Sequence, residues 1–171
     1  MPQRFKQSPR GLDREAFVAL FGRVYEHSPW IAEAAFEAGL DARHERIAGL
    51  HETMNAVVAE APRHRQLGLL RAHPDLAGRL AVAGALTPHS TSEQAGAGLD
   101  KCTAEEFARF TQLNDAYKAK FGFPFVMAVK GRTRGDILAT FERRLKNDAA
   151  SEFRAALDEV NKIALFRLQE L

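Results

Sequence analysis

Residues 71–100, R-A-H-P-D-L-A-G-R-L-A-V-A-G-A-L-T-P-H-S-T-S-E-Q-A-G-A-G-L-D, place a histidine against a proline, then a hydroxyl-rich stretch and a carboxylate. Pro74 cannot continue a helix and pushes the residue before it toward extended geometry, so the apolar-patterned segment upstream is predicted to stop at or just before His73. The negative end of a helix dipole favours a protonated imidazole, which makes His73 a candidate proton donor near neutral pH. Ser90, Thr91, Ser92, Glu93 and Gln94 follow as S-T-S-E-Q, whose Ser-x-x-Glu spacing reads as a capping box opening a helix. Each feature alone has a plainer reading, a packed helix-end histidine and an ordinary cap. Arg167 adds a guanidinium on the face that Phe153, Leu157, Val160, Ala164, Leu168 and Leu171 share in the last predicted helix. It reads as a rim residue, as a structural ion pair, or as a carboxylate receptor for which a guanidinium fork is well shaped.

Taken together, H-P-D-L-A-G at residues 73–78, S-T-S-E-Q-A-G-A-G-L at 90–99 and F-G-F-P-F-V at 121–126 resemble the signature set of the 2-oxo-4-hydroxy-4-carboxy-5-ureidoimidazoline (OHCU) decarboxylases of urate degradation. The resemblance runs from E-H-S-P-W at 26–30 to K-I-A-L-F-R-L at 162–168, most of the chain. It implies an all-α fold, a homodimer, a small-molecule substrate (OHCU) and no metal or organic cofactor. It further implies that His73 and Glu93 are catalytic, and that Pro74, Ser90, Gln94 and Arg167 contact substrate. Phe125, Val126, Met127, Ala128 and Val129 match the stretch whose backbone meets the substrate ring; Met127 stands where the family often has isoleucine. Functional coupling to urate oxidase and hydroxyisourate hydrolase activities is implied as well, the hydrolase being expected on a separate protein. The rival readings are a J-domain-like co-chaperone, suggested by the His73-Pro74-Asp75 tripeptide, and a non-catalytic helical interaction module. The stretch A-P-R-H-R-Q-L-G-L-L-R-A before that tripeptide is only partly basic, and L-A-G follows where a J-domain usually shows lysine-rich polar residues.

Bulk properties narrow the classes. A chain of 171 residues, 46% hydrophobic and 27% charged, suits one globular domain with its own core. A formal net charge of +2 with scattered basic residues gives no nucleic-acid footprint. The lone Cys102 excludes an internal disulfide and reads as a bland residue beside a helix start. M-P-Q-R-F-K-Q-S-P-R-G at the N-terminus lacks a signal peptide's apolar stretch, no run is long enough to cross a membrane, and R-L-Q-E-L is no peroxisomal address, so a cytoplasmic location is expected.

The positioning elements read as helices throughout, and the fold expected is an all-α, single-domain bundle of about seven to nine helices over residues 13–171, behind a flexible or loosely docked lead at 1–12. Phe17, Leu20, Phe21 and Val24 mark a first helix. Ser28 and Pro29 open a second as cap and first residue, with Trp30 packing behind. Gly39 ends that helix and Asp41 caps the next, whose buried face carries Ile47, Leu50, Met54, Val57 and Val58. His44 and His51 share one side without the further ligands a metal needs. Leu67 and Leu70 point inward before His73. Small residues between Pro74 and Pro88, among them Gly78, Gly84 and alanines at 77, 81, 83 and 85, suit tight packing or a pocket wall. Thr103 and Glu106 form a capping box for a helix with Phe107, Phe110, Leu113, Tyr117 and Phe121 as its core stripe. Gly122 closes it. The apolar run 123–129 contains Pro124 and finds no partner strand, so its backbone groups need other partners. A basic turn at 131–136 leads to a helix with Ile137, Leu138, Phe141 and Leu145 inward, and Asn147 or Asp148 caps the last helix.

Overall fold

A computed structural model describes residues 1–78 and 86–171. The small-residue stretch predicted as packing surface or pocket wall lies largely at 79–85, outside the described residues. Among the described residues there are eight α-helices, three short 3-10 turns and no strand. The helices are α1 Arg14–Phe21, α2 Trp30–Glu37, α3 Ile47–Glu60, α4 Arg63–Arg71, α5 Pro88–Gly96, α6 Ala104–Phe121, α7 Arg134–Leu145 and α8 Ala149–Glu170. The expected all-α class and helix number are met. The chain divides into two compact units, residues 1–72 with 160–171, and residues 73–159.

In the first unit, the apolar stripes close on one another: Phe17, Phe21, Ile31, Ala35, Leu50, Met54 and Leu70 lose essentially all solvent exposure. Asp13 caps α1 by accepting from Ala16 N–H. Ser28 does not cap α2. Its hydroxyl donates instead to the Glu26 carbonyl at 3.0 Å, and Pro29 occupies the cap position. Asp41 caps a 3-10 turn, Ala42–Glu45, rather than α3 itself. In that turn His44 Nδ1 accepts from Asp41 N–H at 2.8 Å, which leaves its Nε2–H to donate to Thr53 Oγ1 at 2.9 Å. The residues read as a lead make several contacts. Ile47 N–H donates to Gln3 O, Phe5 packs edge-on against Phe21, and Pro9 is buried.

In the second unit, α6 packs along α7, with Phe110, Leu113, Tyr117, Ile137 and Phe141 as core. Thr103 with Glu106 and Thr133 with Asp136 form reciprocal capping boxes for these two helices. Only the first was legible as a box in the sequence. Gly122 takes the left-handed conformation (φ 80°) that ends α6. Asp148 caps α8 by accepting from Ser151 N–H at 2.8 Å.

Candidate active site

Helix α4 ends at Arg71 with Ala72 as its cap, two residues short of Pro74, as proline sterics require. His73 is 8% exposed and lies at a bend just before the turn at Leu76 and Ala77. Ala77 in that turn has φ +49°, a left-handed conformation that costs a residue with a Cβ roughly 1–2 kcal/mol. Gly78 is required next to it, since a Cβ there would lie 2.7 Å from the Asp75 Cβ.

Side chains from two helices offset that cost. Gln94 Nε2 donates to the Asp75 carbonyl at 3.2 Å, while Gln94 Oε1 accepts from Ala77 N–H at 3.0 Å. Asn114 Nδ2 donates to the Leu76 carbonyl at 3.0 Å. Lys118 Nζ reaches Asp75 Oδ2 at 2.8 Å. Each buried bond is worth about 0.5–1.5 kcal/mol, so three of them match the strain.

Thr87, not Ser90, caps α5: its hydroxyl accepts from Ser90 N–H at 3.3 Å, and Pro88 sits in the first turn. The expected Ser90–Glu93 capping box is therefore absent. The physical reason is the earlier start that Thr-Pro gives the helix, which carries Ser90 and Glu93 inside it. Ser90, Glu93, Gln94 and Ala97 then fall on one face by helical spacing. Ser90 and Gln94 are buried at 3% and 4% exposure, and Glu93 is partly exposed.

Residues 123–129 form neither helix nor strand, and two of their backbone groups bond to charged side chains. Val126 O accepts from Arg144 Nη1 at 2.7 Å, and Ala128 N–H donates to Glu159 Oε2 at 3.0 Å. The Phe125 ring stacks on Phe141 with centroids 3.9 Å apart, and the Arg144 guanidinium lies 4.5 Å from its centroid. Arg144 pairs in turn with the fully buried Glu152 at 3.0 Å, to which the Tyr117 hydroxyl also donates. Burial, then the Glu152 carboxylate, push the Tyr117 phenol well above its ordinary range. Tyr117 and Asn114 sit one turn apart on α6, so a single helix face supports both the His73 turn and the 125–129 stretch.

Arg167 lies in the other unit, 1% exposed. Its Nη1 donates to Glu26 Oε2 at 2.9 Å and toward Val24 O at 3.4 Å. The ion-pair reading is thus realised, and its partner comes from the E-H-S-P-W motif. His73, Pro74, Ser90, Glu93, Gln94 and residues 125–129 all belong to the second unit.

Among the described residues no cluster of His, Cys, Asp and Glu could hold a metal ion. No described helix is long and apolar enough to cross a membrane. Burial and then Glu106 push the Cys102 thiol up, away from nucleophilic use. Arg144, Glu152 and Asn114 went unmarked in the sequence. Arg144 had a signal: it follows Ile137 and Phe141 at helical spacing, the same pattern that singled out Arg167.

A family model described as OHCU decarboxylase matches residues 10–169. The chain is 44% identical to the 2-oxo-4-hydroxy-4-carboxy-5-ureidoimidazoline decarboxylase of Haloferax volcanii, across 96% of this chain and 94% of that one. A crystal structure of (S)-allantoin synthase aligns with TM-score 0.73 and 30% identity, covering 95% of this chain and 52% of that one. The fold of an OHCU decarboxylase crystallised in the presence of (S)-allantoin aligns with TM-score 0.67 at 23% identity, covering 93% and 97%. The match takes in the His73-Pro74-Asp75 turn, so that tripeptide is part of this pattern and not of a J-domain. A histidine turn fastened to the glutamate helix, inside a match that spans nearly all its residues, establishes that the chain belongs to the OHCU decarboxylase family of carboxy-lyases.

Proposed function

We propose that His73 and Glu93 carry the decarboxylation of OHCU to (S)-allantoin and carbon dioxide. The supporting observation is the pair of bonds from Gln94 to Asp75 and Ala77, which ties the helix bearing Glu93 to the turn bearing His73. In the reaction the bond from ring C4 to its carboxylate breaks, and the electron pair forms a C4–C5 double bond while the imine nitrogen takes a proton. The substrate is its own electron sink, so no pyridoxal or thiamine is needed. A proton then adds at C5 on one face, and the C4 hydroxyl gives up its proton to become the carbonyl of allantoin.

His73 moves the proton as general acid and base, and Glu93 binds the C4 hydroxyl and orients the ring. Ser90 and Gln94 read ureido and ring polar groups, Gln94 with the amide capacity left over from the turn. Pro74 and the backbone of Phe125, Val126, Met127, Ala128 and Val129 line the ring, and the Arg167 fork holds an anionic or carbonyl end. Residues 13–171 work as one domain behind the lead at 1–12. The protein acts as a cytoplasmic homodimer downstream of urate oxidase and hydroxyisourate hydrolase activities. Generating OHCU in situ from urate with those two enzymes tests the reading. Circular dichroism should show optically active allantoin forming faster when the protein is added, and an unchanged rate with racemic product would overturn it.

A further inference from the structure

We propose that Asn114 is a positioning residue for His73, acting through the 75–77 turn; the proposal rests on the acid-base role given to His73 above. Asn114 is 2% exposed, and its Nδ2 donates to the Leu76 carbonyl. Its Oδ1 has no hydrogen-bond partner among the described residues. A buried carboxamide whose oxygen is unsatisfied is a worse core residue than leucine, so what it contributes is the bond its amide nitrogen donates. That donor goes to a turn whose Ala77 is held left-handed.

Lys118, one turn further along α6, takes the Asp75 carboxylate of the same turn. The two contacts fix the turn against α6, as Gln94 fixes it against α5. Pro74 has its φ locked by its ring, and the Asp75 carbonyl and carboxylate are held as well, which restricts the path from the Leu76 carbonyl back to His73. Loss of the Asn114 donor lets the turn relax toward ordinary alanine geometry and swings the imidazole. Displacement by about an ångström is enough to cost on the order of a hundredfold in rate.

The test is Asn114→Leu, which keeps the branched shape and heavy-atom count, removes the donor and also removes the unsatisfied carbonyl. Thermal midpoint should stay close to that of the parent, while kcat per folded protein falls ten- to a hundredfold and KM stays within threefold. The ring 15N shifts of His73, assigned by their loss in His73→Asn, should move. Asn114→Ser, whose hydroxyl is too short to reach Leu76, should behave alike and serves if the leucine variant does not fold. Unchanged His73 shifts with kcat within twofold would overturn the proposal, and so would a rise in KM alone, which would put Asn114 against the substrate. The ring shifts do not depend on turnover. A parent protein without decarboxylase activity would therefore defeat the functional reading while the spectra still decided whether Asn114 sets the imidazole.

Discussion

Arg167 donates from Nη1 to Glu26 Oε2 across 2.9 Å, and both side chains are shut off from solvent. The pair joins the first motif of the chain to its last helix, and burial makes each charge depend on the other. Removing one partner leaves an uncompensated charge, which costs about 3–5 kcal/mol. Glu26→Ala should therefore lower unfolding free energy by about that amount in urea titrations followed at 222 nm. Arg167→Lys, which keeps the charge but loses the fork, should raise KM at least tenfold if the guanidinium receives a carboxylate.

The Tyr117, Arg144 and Glu152 network makes a graded prediction. Tyr117→Phe removes one donor from a carboxylate still held by Arg144 and Asn147, and should cost about 1.5–3 kcal/mol. Glu152→Ala strands the buried Arg144, the residue that also holds the Val126 carbonyl, so it should cost more and impair activity as well. Equal losses in the two variants, measured by chemical denaturation, would mean that Glu152 does not organise the network.

Gly78→Ala should fold with a distorted turn, because its Cβ would meet the Asp75 Cβ at 2.7 Å in a segment already held by three side chains. We expect kcat to fall at least tenfold. A variant with parental kcat would show that the turn tolerates rearrangement.

His51 supplies a pH dependence in the first unit. Burial lowers its pKa below the ordinary value of 6.5, partly opposed by the hydrogen bond in which Nε2–H donates to the Asn161 carbonyl at 2.7 Å. The folded state thus binds its proton less readily than the unfolded chain. That contribution is fully present above pH 6.5 and is lost as pH falls through the lowered folded pKa. Thermal midpoints should decline across that acid window, and His51→Gln, which can still donate to the carbonyl, should flatten the decline.

Much of this was readable from sequence because it is local. Proline and glycine at helix ends, the Thr103–Glu106 box and the apolar stripes each depend on a few neighbouring residues. Ser90 misled because Thr87-Pro88 starts the helix three residues earlier, and a capping pattern inside a helix looks the same as one at its end. Gln94 and Asn114 were harder to place. Their partners are backbone groups 19 and 38 residues away, and nothing in the spacing of side chains marks a carbonyl as needing a donor. Arg144 and Glu152 hid in charged-looking stretches, although Arg144 shares the helical face of Ile137 and Phe141.

The central claim is that an imidazole and a carboxylate, coupled through one turn and one helix, perform the decarboxylation. Measuring carbon dioxide release from freshly generated OHCU for the parent, His73→Asn and Glu93→Gln tests it most directly. We predict that both variants keep the helical spectrum and lose at least a hundredfold in kcat, a fall of the size general acid-base catalysis supplies. Near-parental release by a folded His73→Asn protein would contradict it.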